Sequence, residues 1–496
     1  MGPADHVLAL DQGTTSTRAI LFDSHARPVA TARRELAQHY PELGWVEHDP
    51  EDIWRDALGA AHEALERSGI DGRRVAGIGI TNQRETAIIW DRATGEPIHR
   101  AIVWQDRRTS ERCAELEATG VEAVVRSRTG LLLDPYFSAT KIAWMLDHVP
   151  DASARAERGE LAFGTVDSFL LWRLTGGAVH ATDVTNASRT SIFDIHHLRW
   201  DSELCSLFGV PEAVLPEVHD NSRLFGLTAP GLFDVQIPIA GIAGDQQAAL
   251  FGQGCFEPGM GKSTYGTGCF MLLNTGAEAV ESRHRLLTTP AYRIGGRTTY
   301  ALEGSIFIAG AAVKWLRDGI GVIADASDTD ALAPTVPDSH GVYMVPAFVG
   351  LGAPYWRPDA RAAIFGLTLG ATGAHLARAA LEAVAFQSLD LAQAMVADGA
   401  AAPAKLRLDG GMTANKWLCQ FLADILEVTI ERPQILETTA LGAAFHAGLA
   451  TGVWSGLDTL SNIWAPRDCF TPKMDVGLRA SLVEGWKEAV ARTLDA

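Results

Sequence analysis

Two strand–turn–strand units, one near the start of the chain and one just past its middle, limit what these 496 residues can fold into. Val7-Leu-Ala-Leu10 is a short continuous apolar run, the pattern of a strand buried on both faces. It ends in the turn Asp11-Gln-Gly-Thr-Thr-Ser16, and Arg18 to Phe22 resumes as a strand, so the unit is a hairpin rather than a strand-to-helix junction. Ser263-Thr-Tyr-Gly-Thr-Gly-Cys-Phe270 repeats the type and leads into Met271-Leu-Leu-Asn274. One hydrophobic core does not serve a chain this long, since domains usually hold about 100–200 residues. The repeated hairpin therefore predicts two related α/β lobes with a cleft between them, the second beginning near residues 247–256.

Other elements fit that plan. Asp49-Pro-Glu-Asp52 opens a helix, with a cap, a proline at the first helical position and acids at the positive end of the dipole. Ile53, Trp54, Ala57, Leu58, Ala61, Ala64 and Leu65 fall on one face of it. Val75 to Ile80 is a buried strand running into Thr81-Asn-Gln-Arg-Glu-Thr86, and Ile237 to Gly244 is another that ends at Asp245. Leu376 to Val396 has helical periodicity. Leu406 to Gly411 is a strand with a glycine turn, and Ala440 to Leu449 is a tightly packed helix.

The formal charge of −18 makes nucleic acid an unfavourable partner. A single nucleotide is not excluded, because a divalent cation and a few local donors can neutralise one triphosphate. Six widely spaced cysteines with no C-x-x-C pair are expected to be buried, reduced thiols. No run approaches the roughly 18 apolar residues of a membrane span, and the N-terminus lacks a signal-peptide pattern, so a cytoplasmic location is expected.

The chemistry gathers in a few places. The first hairpin offers backbone N–H groups, the hydroxyls of Thr14, Thr15 and Ser16, and Arg18 just beyond, all suited to phosphoryl oxygens. Asp11 can hold Mg²⁺ through water. Two hairpins facing a cleft can grip one triphosphate, although each alone also reads as an ordinary polar turn. Asp245, closing an apolar strand, is the candidate general base for a substrate hydroxyl, or else the cap of the helix Gln246 to Leu250. Arg84 and Glu85 set a donor beside an acceptor and so suit adjacent hydroxyls of a neutral polyol, or else form a surface ion pair. Trp104, Tyr136 and Phe270 are candidate apolar walls. Gly261-Lys-Ser-Thr264 ends like a P-loop, but Phe256 stands where that motif needs glycine, and Lys262 is expected at a strand edge.

These motifs, with Gly44 to Pro50, Ala101 to Gln105, Asp134 to Ser138 and Gly241 to Gly252, resemble those of the FGGY carbohydrate kinases, in the forms typical of its glycerol-phosphorylating branch. Tyr136 to His148 and Ala362 to Glu382 fit the two patterns of the wider family. The resemblance implies two ribonuclease-H-like lobes of the actin and sugar-kinase ATPase type. Residues 1–250 would bind polyol and phosphate, and residues 251–496 the nucleotide. It implies transfer of a phosphoryl group from ATP to glycerol with Mg²⁺, in a homo-oligomer (dimer or tetramer).

The resemblance carries polyol binding onto Arg84, Glu85, Trp104, Tyr136, Asp245, Gln246 and Phe270. Nucleotide contacts carry onto Thr14, Thr15, Ser16, Thr267, Gly310, Gly411 and Asn415, the base onto Asp245 and the magnesium-associated carboxylate onto Asp11. Two departures stand out. Lys314 occupies a nucleotide-side position where many relatives have Gln. The segment Ala229 to Pro238 has no Arg, Lys or His with which to bind a sugar bisphosphate or accept a phosphoryl group. The rival readings are a kinase of the same family acting on a ketose or larger polyol, and a non-catalytic ATP-driven clamp resembling actin or a chaperone.

Overall fold

The structure is a computed structural model that describes residues 4–357 and 359–495. The first sheet is built from His6–Gln12 (β1), Ser16–Phe22 (β2), Pro28–Glu35 (β3), Val75–Asn82 (β4), Ser222–Leu227 (β5) and Pro238–Gly244 (β6), in the order β3-β2-β1-β4-β6-β5. The second holds Gly261–Tyr265 (β7), Cys269–Gly276 (β8), Leu287–Ile294 (β9), Arg297–Ile306 (β10), Lys405–Asp409 (β11), Thr429–Pro433 (β12) and Pro466–Phe470 (β13), in the order β9-β10-β8-β7-β11-β12-β13.

The two sheets repeat one design. In the first, β3, β2 and β1 form an antiparallel meander, β1, β4 and β6 run parallel, and β5 returns antiparallel. In the second, β10, β8 and β7 are the meander, β7, β11 and β12 run parallel, and β13 returns antiparallel, with β9 added at the far edge. The duplicated hairpin seen in the sequence is thus the first two strands of a duplicated sheet.

Helices cover these sheets as the apolar patterns require. Pro50–Ser68 (α1) begins where the sequence predicts, with the Asp49 carboxylate accepting from the Glu51 N–H, and buries Ile53, Ala57, Ala61 and Ala64. Asp245–Gly252 (α2) follows β6 directly. In the second lobe come Gly310–Asp318 (α3), Gly373–Ala397 (α4), Lys416–Leu426 (α5) and Thr438–Thr451 (α6). Helix α4 starts three residues before the sequence estimate because Thr372 and His375 form a capping box ahead of it.

Helix α6 binds the two halves together. It lies against α2 and across β1, β4 and β6 of the first sheet, in a shared core with Val7, Ile20, Ala240, Leu250, Leu272 and Phe445. The approach is so close that a Cβ on Gly442 would stand 1.9 Å from the Ala248 carbonyl oxygen. Glycine is needed there for space.

Residues 83–221, between β4 and β5, form an insertion with its own apolar cluster around Ile89, Ile142, Met145 and Phe163. The 229–238 segment connects β5 to β6, and its Leu232, Phe233 and Val235 pack onto the first-lobe core. No helix among the described residues is long and apolar enough to cross a membrane. The cysteine expectation needs one correction: five thiols are buried, but Cys469 is exposed on β13, the strand at the sheet's end.

Candidate active site

Parallel strands deliver the residues beyond their carboxyl ends to one edge of a sheet. In the first sheet Asp11 pairs with Thr81 and Gly244 with Asn82, so β1, β4 and β6 end level. Asp11, Arg84, Glu85 and Asp245 therefore converge, although they come from three separate stretches of sequence. The second sheet does the same with β7 and β11, where Thr264 pairs with Asp409. This places the turn Gly266-Thr267-Gly268 beside Gly410 and Gly411.

Asp245 is the first residue of α2, with Gly244 at the cap position. Its Oδ1 accepts from the Gln246 N–H at 2.7 Å and stands 3.3 Å from Arg84 Nε, and its side chain keeps 30% exposure. Burial raises its proton affinity, opposed by the positive charges of Arg84 and Lys262. Burial, reinforced by the charges of Asp245 and Glu437, pushes the Asp11 carboxyl up to about 7 against the pull of Arg18. Two neighbouring carboxylates are an all-oxygen donor set suited to a hard cation such as Mg²⁺, whose charge would relieve their repulsion. Among the described residues no cluster of three or more His, Cys, Asp or Glu forms a protein-only cage. An ion at Asp11 would thus take its remaining ligands from water and phosphate.

Arg84 and Glu85 are not a surface pair, for each side chain is only 1% exposed. Arg84 donates to both carboxylate oxygens of Glu303, at 2.6 and 2.9 Å, to Gln247 Oε1 at 3.1 Å and to Tyr136 OH at 3.4 Å. Glu85 has left-handed backbone, φ 63°, and accepts at 2.6 Å from Arg189 Nε. Arg189 also donates to Glu303 at 3.1 Å. Burial alone would raise the Glu303 carboxyl, but Arg189 and Arg84 hold it down at about 2. The result is a desolvated lattice of two guanidiniums and two carboxylates, reaching from the first sheet through the insertion to β10. Each charge has a partner, which is the condition for keeping charges out of water.

Trp104 and Tyr136 meet edge to face with centroids 5.5 Å apart, and Trp104 Nε1 donates to Thr14 Oγ1 at 2.9 Å. That bond ties the apolar wall to the first hairpin. Phe270 is half-buried on β8, and Gln246 sits on α2 next to Asp245. In the hairpin Thr14 and Thr15 reach solvent while Ser16 is buried. Arg18 is taken up by Glu437, 2.5 Å away at the start of α6.

On the second lobe, Gly310 N donates to the Gly266 carbonyl at 3.0 Å, and Ala309 N and Ala311 N donate to that of Thr267 at 2.9 and 3.0 Å. The hairpin is thereby clamped to the N-terminus of α3. Gly411 has open space where a Cβ would be. Asn415 is committed to structure: its Oδ1 accepts from Leu418 N at 2.8 Å, capping α5, and its amide donates to Thr329 Oγ1 at 3.2 Å. Lys314 is exposed on α3 and, with Ile308, Trp315 and Phe348, lines a pocket of about 410 Å³.

Sequence reasoning missed Glu303, Arg189 and Gln247, and it misplaced Lys262. That lysine lies on β7, an interior strand between β8 and β11, fully buried. A lone glutamate inside the apolar strand Tyr300-Ala-Leu-Glu-Gly304 was the signal available for Glu303.

Two sheets of one design, each with a Gly/Thr hairpin at the edge where its parallel strands end, are the architecture of a sugar-kinase type of phosphotransferase. Residues 6–252 match the N-terminal domain and residues 261–451 the C-terminal domain of the FGGY family of carbohydrate kinases, and the chain belongs to that family. It is 62% identical to a glycerol kinase of Gluconobacter oxydans, covering 100% of this chain and 96% of the relative. It is 60% identical to one of Rhodospirillum centenum, covering 99% of each. A crystal structure of Plasmodium falciparum glycerol kinase with ADP superposes with a TM-score of 0.94 at 39% identity, covering 100% of this chain and 99% of that one. A xylulose kinase from Rhodospirillum rubrum shares the fold at a TM-score of 0.87 and 26% identity, covering 98% of each.

Proposed function

We propose that this chain phosphorylates glycerol with ATP, giving sn-glycerol 3-phosphate and ADP. The observation that carries the reading is the position of Asp245: partly exposed at the edge where the parallel strands end, and 3.3 Å from Arg84, which also donates to Tyr136. Full-length similarity to glycerol kinases supports glycerol over a ketose as the occupant.

Arg84 donates to one hydroxyl of the polyol, Glu85 accepts from its neighbour, and Trp104, Tyr136 and Phe270 cover the carbon face. Thr14, Thr15, Ser16 and Thr267 face the phosphoryl oxygens from two sides. Gly310, Gly411, Asn415 and Lys314 lie toward the nucleoside. Asp245 takes the hydroxyl proton as that oxygen forms its bond to the γ-phosphorus, and the bond from the γ-phosphorus to the β,γ-bridging oxygen breaks in line. Asp11 would hold Mg²⁺ through water; when bound, the ion neutralises charge on the β- and γ-phosphoryl oxygens. Residues 1–250 carry most of the polyol and phosphate contacts, Phe270 and Thr267 add to them from residues 251–496, and the nucleoside side belongs to residues 251–496. The boundary falls inside α2, the helix that joins the two sheets.

Glycerol-dependent ADP release from the purified chain tests this reading. Arg84→Ala should raise the glycerol KM about 10- to 100-fold, the value of a hydrogen bond to a charged group, with the ATP KM nearly unchanged. An unchanged glycerol KM would remove Arg84 from the polyol site.

A further inference from the structure

The P-loop-like lysine that the sequence dismissed occupies a telling place. Lys262 rises from the middle of the second sheet, yet its Nζ donates to Gln246 Oε1 at 2.5 Å, on the helix that begins with Asp245. Its other contacts are Thr264 Oγ1 at 2.9 Å and the Phe270 carbonyl at 3.5 Å. The side chain is fully buried, so these bonds replace water and all three ammonium donors are engaged.

An ammonium group has only donors. Gln246 must therefore turn its carbonyl oxygen toward Lys262, which leaves its NH₂ pointing away from the lysine on a half-buried residue next to Asp245. Without the lysine the amide is free to flip. We propose that Lys262 is a positioning residue of the second lobe that fixes the Gln246 amide with its NH₂ toward the polyol, so that polyol binding in the first lobe depends on a side chain from the second. The inference rests on the glycerol reading above. It adds an interlobe contact on the substrate side of the cleft, where Arg84 and Glu303 supply another.

A double-mutant cycle tests it. Lys262→Met, Gln246→Ala and the double variant are compared for glycerol KM, ATP KM, kcat and melting temperature. Losing one hydrogen bond to a neutral hydroxyl should raise the glycerol KM about three- to tenfold in each single variant. The ATP KM should stay within about twofold, and the double variant should match Gln246→Ala instead of multiplying the two factors. A glycerol KM unchanged in Lys262→Met, or fully multiplicative effects, overturns the proposal. Should Lys262→Met fail to fold, Gln246→Glu takes its place, because a carboxylate still accepts from Lys262 but has no NH₂ to offer. Its glycerol KM should rise with the melting temperature retained, and an unchanged KM overturns the proposal. If the unmutated chain releases no ADP in response to glycerol, the substrate reading itself fails. That outcome is separate from an active parent whose variants show no coupling.

Discussion

Asp245→Asn should lower kcat by about 10²–10⁴-fold, the usual cost of removing a general base. Asn has nearly the same shape, and its side-chain oxygen can still accept from the Gln246 N–H that Asp245 Oδ1 holds at 2.7 Å. It cannot take a proton from an attacking hydroxyl. The loss should fall on kcat more than on the glycerol KM, because the amide still hydrogen-bonds a polyol. The rival role for this residue is to hold the first turn of α2 through the Gln246 N–H, which the Asn side-chain oxygen can also do. A helix-starting role therefore predicts near-normal kcat. Measuring kcat and melting temperature together separates the two: a folded variant with near-normal turnover would remove Asp245 as the base.

The second large effect is on stability. Glu303→Ala should destabilise the protein by about 3–5 kcal/mol, because it leaves Arg84 and Arg189 buried without the carboxylate they share. The pH dependence has a definite sign. The Glu303 carboxyl is held at about 2 in the folded chain against an ordinary value of 4.5. Its contribution is thus present above pH 4.5 and lost as the pH falls toward 2. The gap in stability between parent and variant, measured by urea unfolding, should be full at pH 7 and shrink as the solution is acidified through that window. A gap of less than about 1 kcal/mol at pH 7, the range of an exposed ion pair, would mean that the guanidiniums find water or other partners.

How far the sequence disclosed this arrangement depends on the kind of signal each residue leaves. The two hairpins were legible because the same Gly and Thr turn between strands occurs twice, and the repetition exposed the duplicated sheet. Asp11, Arg84 and Asp245 were legible for a related reason: a polar residue at the end of an apolar parallel strand is delivered to the sheet's edge. The environment of Arg84 was not. Its partner Glu303 lies on β10, 2.6 Å away, and Arg189 of the insertion reaches the same carboxylate at 3.1 Å, contacts that only folding creates.

Lys262 failed for another reason. A strand's own pattern does not say which strands lie beside it, so a lysine in the polar stretch Gly261-Lys-Ser-Thr264 reads as an edge residue until the order β8-β7-β11 is known. Cys469 is the same error reversed: a cysteine reads as buried, but β13 is the last strand of its sheet. Asn415 carries two readings at once. Helix N-cap and ligand donor call for the same residue type, and the structure shows its side-chain oxygen already committed to the cap of α5.

The central claim is that the chamber around Asp245 is built for glycerol, and the most direct measurement is ADP release by the purified chain with MgATP and glycerol, xylulose or ribulose in turn. The account predicts saturable, polyol-dependent ADP release with the highest kcat/KM for glycerol, in line with the chain's full-length similarity to glycerol kinases. A higher kcat/KM for either ketose, or ADP release that does not depend on any polyol, would contradict it.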